Sequence, residues 1–179
     1  MGCFGSNYLT GTFVPVHVEK CLNYNGRFQF TVDGRNTSQK PISIRSSWEW
    51  KLCKFCDSKV NVLEWGSEIF VIDYVNQNDG KKHRYVTDFY MKVRKRSGEI
   101  VKYIVEVKPA CQSERLDEFG QLVMPDPPKR KTQKSIANWQ ERCDVIRKNN
   151  SKWTYAREWC RRQGYEFIVL NEENIGVIQ

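Results

Sequence analysis

The segment YIVEVKPAC, Tyr103 to Cys111, sets an acid and an amine two positions apart in an apolar run, with a proline directly behind them. Side chains alternate along an extended strand, so Val101, Tyr103, Val105 and Val107 face one way and Ile104, Glu106 and Lys108 the other. Glu106 and Lys108 are then about 6.5 to 7 Å apart along the chain, near enough to share one ligand and too far for a snug direct pair. Upstream, across a turn at RSGE, Asp88 lies among aromatic residues in YVTDFYM. Three charged groups can therefore meet at one point, and charges set among Ile, Val, Tyr and Phe need partners.

That combination suits phosphodiester hydrolysis. The reaction needs charge neutralised on the phosphoryl oxygens and a water activated, and two carboxylates holding Mg²⁺, or Mn²⁺ in its place, provide both. A lysine beside them can orient or help deprotonate the water and balance negative charge in the transition state. Asp88 and Glu106 are the candidate metal ligands, Lys108 the candidate partner of the water, and the Val107 carbonyl a further hard oxygen. Glu49 is a fourth candidate. It also completes Ser46-x-x-Glu49, a capping box in which the carboxylate reaches back to the start of a helix. The spacing D-x17-E-x-K is loose by itself and equally describes an exposed strand face carrying a Glu–Lys pair.

The elements that hold these residues follow from periodicity. From Ser46, Trp48, Leu52 and Phe55/Cys56 recur at helical spacing in SSWEWKLCKFCD. EIFVIDY (68–74), HRYVTDFYMKVRK and IVKYIVEVK, separated by NQNDGKK and RSGE, predict three strands in a meander. MPDPPKRK is too rich in proline for regular structure. TQKSIANWQERCDVIRK and SKWTYAREWCRRQG predict two helices, the second ending at Gly164, and YEFIVL predicts a last strand. The order α-β-β-β-α-α-β places the chain in the α/β class, with a mixed central sheet flanked by helices. Residues 1–43, rich in Gly, Asn, Thr and Ser, predict an extended N-terminal arm ahead of a domain at 44–179. Trp65, Trp139, Trp153 and Trp159 are expected to pack rather than stack on bases. Gln112 is read either as a substrate contact or as a solvated loop amide.

The 179 residues suffice for one domain with a real core and are cramped for two. With 40% hydrophobic and 28% charged residues and six Trp, the composition excludes a disordered chain. The net charge of +8 and pI of about 9.1 point to nucleic acid or an anionic membrane, with a solvated basic face as the plain alternative. The basic runs at 81–84, 92–96 and 129–134 are the expected phosphate contacts. Seven cysteines without a regular framework predict a reducing compartment. Cys53 and Cys56 form a CxxC, but no second pair follows at zinc-ribbon spacing, and His17 and His83 are the two histidines. Two helix-face thiols are expected. MGCFGS matches a myristoylation pattern, with Cys3 placed for a second acyl chain, but so short a pattern arises by chance. No apolar stretch approaches bilayer length, so a soluble chain is expected.

GTFVPVHVEKC, RSSWEWKLCKFCD, VNVLEWGSEIF, HRYVTDFYM, YIVEVKPACQ and SKWTYAREWCRRQGYEFIVLNEE, in that order, resemble the PD-(D/E)XK nuclease superfamily. Within it, the resemblance is to the head completion nucleases of T-even-type tailed phages, themselves similar to TnsA-like transposase endonucleases. The resemblance implies a restriction-endonuclease-like αβββαβ core and Mg²⁺-dependent cleavage of double-stranded DNA during virion assembly and head–tail joining. It implies portal or neck proteins as partners of the N-terminal arm, in the host cytoplasm and at the virion neck. Carried over by position, the site is Glu49 in RSSWE, Asp88 in HRYVTDF, and Glu106 and Lys108 in EVK. Thr87 stands where the family places proline before the Asp. Two other classes share the pattern: a non-catalytic neck or portal assembly protein that keeps the fold, and a transposon endonuclease.

Overall fold

The structure, a computed structural model, describes residues 10–112, 116–118, 121–171 and 174. In chain order its strands begin with β1 (Gly11–Phe13), β2 (Phe30–Val32), β3 (Arg35–Thr37) and β4 (Ile42–Ile44), followed by helix α1 (Ser47–Ser58). Then come β5 (Val62–Ser67), β6 (Val71–Val75), β7 (Lys82–Val86), β8 (Phe89–Arg94) and β9 (Ile100–Val107), helix α2 (Gln133–Gln163), and β10 (Glu166–Leu170). The MGCFGS pattern lies outside the described residues. None of the described helices is long and apolar enough to cross a membrane.

Four strands build the central sheet in the order β10-β9-β8-β5, and β6 with β7 forms a separate hairpin. β8 and β9 run antiparallel from Phe89↔Val105 to Arg94↔Ile100, turned by Gly98 at a φ of 89° that favours glycine. β10 lies parallel to β9, from Glu166↔Tyr103 to Leu170↔Val107. A parallel neighbour requires a long crossover, and α2 supplies it. Continuing the β8–β9 register one step beyond its last pair sets Asp88 opposite Glu106.

The pleat divides two cores. Phe89, Met91, Val93, Val105 and Val107 face α1, where Leu52, Cys53 and Cys56 meet them. Tyr90 and Ile104 face the other way, against Leu22 and Cys160, with Trp159 packed alongside. Glu106, two residues from Ile104, belongs by parity to the α2 side. Both CxxC thiols are fully buried in the first core, where burial raises their pKa.

Three elements differ from the sequence expectation. The first strand of the main sheet is β5, not EIFVIDY, whose β6 portion belongs to the hairpin. β5 contains Gly66, and a Cβ there would lie 2.6 Å from Ile69 Cγ1, so no larger residue fits without a shift. Second, HRYVTDFYMKVRK is two strands. The chain leaves the hairpin at Thr87, whose N–H donates to the Phe70 carbonyl, and joins the sheet after Asp88. Third, the two expected helices are one helix of 31 residues, closed by Gly164 at φ 69°. The segment from residue 10 to 43 joins short strands by a run of turns between His17 and Asn25, and it lies on the domain: Phe13, Cys21 and Ile42 join the α1-side core. Asp57, at the end of α1, accepts from the N–H groups of Val16 and His17 at 2.9 and 3.0 Å.

Candidate active site

Asp88, Glu106 and Lys108 come together at the end of the sheet where β9 finishes and β8 begins. Lys108 Nζ is 3.0 Å from Glu106 Oε1 and 3.6 Å from Asp88 Oδ2. The Val107 N–H donates to Asp88 Oδ2 at 2.9 Å, and the Lys108 N–H donates to the Leu170 carbonyl. The expectation that Glu106 and Lys108 stand too far apart for a direct pair is corrected here. Strand spacing separates the backbones, but Lys108 lies one residue beyond β9 and its long side chain folds back onto the carboxylate.

Glu106 is 1% exposed. Burial raises the Asp88 pKa first of all, and the neighbouring Glu106 charge adds to it; the Lys108 ammonium and Val107 N–H oppose. For Lys108, burial acts against the charge, but Asp88 and Glu106 outweigh it and hold the ammonium above its ordinary range. Two acids thus share one amine in a place where water does little of the screening.

Glu49 sits in the first turn of α1, with its N–H bonded to the Ser46 cap oxygen at 3.2 Å. Its Oε2 accepts from the Arg45 N–H at 2.7 Å, one residue before the cap. The carboxylate therefore makes a capping-type contact, and its charge still acts on Asp88 and Lys108.

Other residues near the site carried no signal in the sequence strong enough to select them. Tyr85, on β7, donates its phenol to Glu106 Oε2. Lys152, on α2, lies 5.4 Å from the Tyr85 ring. Burial lowers the Lys152 pKa; Glu106 and Asp88 oppose that, while Lys108 and Lys148 add to it. On the opposite flank Glu68, at a φ of 53°, binds Lys40 at 2.8 Å and Arg45 at 2.7 Å, and its N–H donates to the Asp88 carbonyl. Tyr85 stands three residues before the candidate Asp, but strand parity alone does not say that its hairpin folds over Glu106.

Among the described residues no group of three or more His, Cys, Asp and Glu side chains is close enough to hold a metal ion by itself. Asp88 and Glu106 make two hard carboxylates, with a backbone carbonyl at Val107 between Glu106 and Lys108 in sequence. That donor set fits Mg²⁺, which keeps several waters and takes one or two protein carboxylates plus substrate phosphate.

The mixed four-stranded sheet thus sets an acid just ahead of β8 beside a Glu-x-Lys that closes β9. The model of the TnsA-like endonuclease N-terminal family matches residues 59–172, and the chain belongs to that family. The matched span takes in Asp88, Glu106 and Lys108 and begins beyond Glu49. Over 166 residues, 93% of each chain, the protein is 27% identical to the head completion nuclease of Enterobacteria phage T4.

Proposed function

We propose that this protein is a Mg²⁺-dependent DNA nuclease acting in phage head completion and head–tail joining, with Mn²⁺ as a possible substitute. The observation that carries the reading is the convergence of Asp88 and Glu106 on Lys108 Nζ, at 3.6 and 3.0 Å. Asp88 and Glu106 would hold the metal, with the Val107 carbonyl and Glu49, directly or through water, completing the set. Bound there, the ion would supply charge neutralisation at the scissile phosphate and a more acidic water. Lys108 holds the two acids together and presents an ammonium where negative charge would grow on the phosphate. Tyr85 and Val107 N–H fix the carboxylates, so little rearrangement accompanies reaction. Lys148 and Lys152 on one flank and Arg45 on the other give the DNA backbone cationic contacts beside the acids.

The assembly setting draws on the relative named a head completion nuclease. A role in docking portal or neck proteins draws on the arm, where Val14, Val16 and Val18, between β1 and the following turn, are 68%, 81% and 46% exposed.

Plasmid nicking with Mg²⁺ tests the nuclease reading. Lys108→Ala is expected to lower the rate at least about 10²-fold, the scale for losing a positioned charge in an active site. Equal rates for the two proteins would end the assignment.

A further inference from the structure

The two oxygens of Glu106 have different surroundings. Oε1 meets the Lys108 ammonium at 3.0 Å, whereas Oε2 accepts the hydrogen bond of the Tyr85 phenol. Tyr85 is 3% exposed, and a phenol is protonated at neutral pH, so it is a buried donor to this oxygen.

Tyr85 is held in place by packing. It comes from the β6–β7 hairpin, not from the sheet that carries Glu106. Ile72, Tyr74, Tyr85 and Ala156 form one buried cluster that fastens the hairpin to α2. The hairpin turn is fixed as well: the Gln77 N–H donates to Ser151 Oγ at 3.1 Å, and Asn78 Nδ2 donates to the Asp144 carbonyl at 2.8 Å. Swinging the phenol off Glu106 would therefore disturb a packed interface.

The Tyr85 hydrogen bond takes one lone pair of Oε2 and pins it, which disfavours an ion held through both oxygens at once and leaves Oε1, where the ion would displace the Lys108 ammonium, as the ligating atom. This matters because ions differ in what they ask of carboxylates. Mg²⁺ requires near-octahedral geometry at about 2.0–2.1 Å, whereas Ca²⁺ takes about six to eight oxygens and readily accepts both from one carboxylate. Neighbours that orient a metal ligand tune the site as the ligands do.

We propose that Tyr85 is a positioning residue that confines Glu106 to one-oxygen ligation and so biases the site towards Mg²⁺ and against Ca²⁺. The inference rests on the reading of Asp88 and Glu106 as metal ligands.

The test is calorimetric titration of the full chain, without DNA, with MgCl₂ and separately with CaCl₂. Wild type, Tyr85→Phe and Glu106→Gln are compared. Tyr85→Phe is expected to lower the ratio of the Ca²⁺ to the Mg²⁺ dissociation constant at least tenfold. A ratio within twofold of wild type, with Glu106→Gln having lost binding, overturns the role of Tyr85 and leaves the metal site standing. Wild type that binds neither ion, or Glu106→Gln that binds as wild type does, overturns both. A measurement on the wild-type fold guards against a variant that fails to fold. Infrared difference spectra of the carboxylate stretches, assigned to Glu106 by their loss in Glu106→Gln, report its ligation with each ion. One-oxygen splitting with both ions supports the inference; two-oxygen splitting with Ca²⁺ overturns it.

Discussion

At the scale of single residues, Lys108 stands between two acids that would otherwise repel each other in a poorly screened place. Asp88 carries the clearer burden: burial and the Glu106 charge both oppose its ionisation, and one ammonium at 3.6 Å offsets only part of that. A site poised to receive a divalent cation is expected to be less stable without it. Asp88→Asn keeps an acceptor for the Val107 N–H and removes one negative charge. It is expected to raise stability by about 0.5–2 kcal/mol in EDTA and to abolish nicking in Mg²⁺. Thermal melts in EDTA check this, and an unchanged or lowered melting temperature would show that the acids cost the fold nothing. The pairing of Glu106 with Lys108 on one face was legible in the sequence because strand parity is rigid. The 3.0 Å contact between them was not, because parity places backbones and leaves a flexible lysine free to fold back.

Elements were legible where one period held and illegible where tertiary contacts redirected polar residues. Asn149 and Ser151 interrupt the apolar pattern of α2, and Ser151 has the look of a new helix cap. In the structure Asn149 Nδ2 donates to the Gln112 carbonyl, and Ser151 Oγ donates to the Arg147 carbonyl four residues back while accepting from Gln77. The helix therefore continues, and its polar pair fastens the loop after β9 and the hairpin turn. β5 escaped notice because Gly66 and Ser67 weaken its strand signal; Asn23 satisfies the Ser67 backbone on both sides. The arm shows the same principle. Its composition marked it off as a segment, but did not say that Asp57 would pin Val16 and His17. Val14 and Val16 stay exposed beside it. Val14→Glu with Val16→Glu is expected to change stability by less than about 0.5 kcal/mol, since neither side chain packs. Nicking is expected to be unchanged, and the yield of infectious particles in a complementation assay to fall tenfold or more. Normal yield would remove the arm from assembly.

Across the whole molecule, two charged patches stand at opposite ends of α1. The acids and Lys108 lie by the first turn of α1, whereas Lys59, Arg94, Lys95 and Arg96 line a concavity of about 620 Å³ with Phe55, Val60 and Asn61, at the far end of that helix. Twelve residues of α1 separate the patches by about 18 Å. The Arg94 N–H donates to the Asn61 carbonyl, so β8 and the α1–β5 connection form one wall. The basic run at 92–96, expected from the sequence to contact phosphates, is therefore expected to meet DNA only when the duplex is long enough to pass both patches. A hairpin-closed duplex of 8 base pairs is about 27 Å long and, centred on the acids, stops short of Arg94 and Arg96. One of 30 base pairs covers the distance easily. Removing two phosphate contacts should flatten the dependence of log K on log salt by about 1.8. Arg94→Ala with Arg96→Ala is accordingly expected to flatten that slope for the longer duplex and leave it unchanged for the shorter, measured by anisotropy in EDTA. The nicking rate at saturating plasmid should stay at the wild-type value, because neither arginine is near Glu106. Equal flattening with both duplexes would mean that the DNA runs across the basic patch first and that its path over the protein differs from the one the acids define.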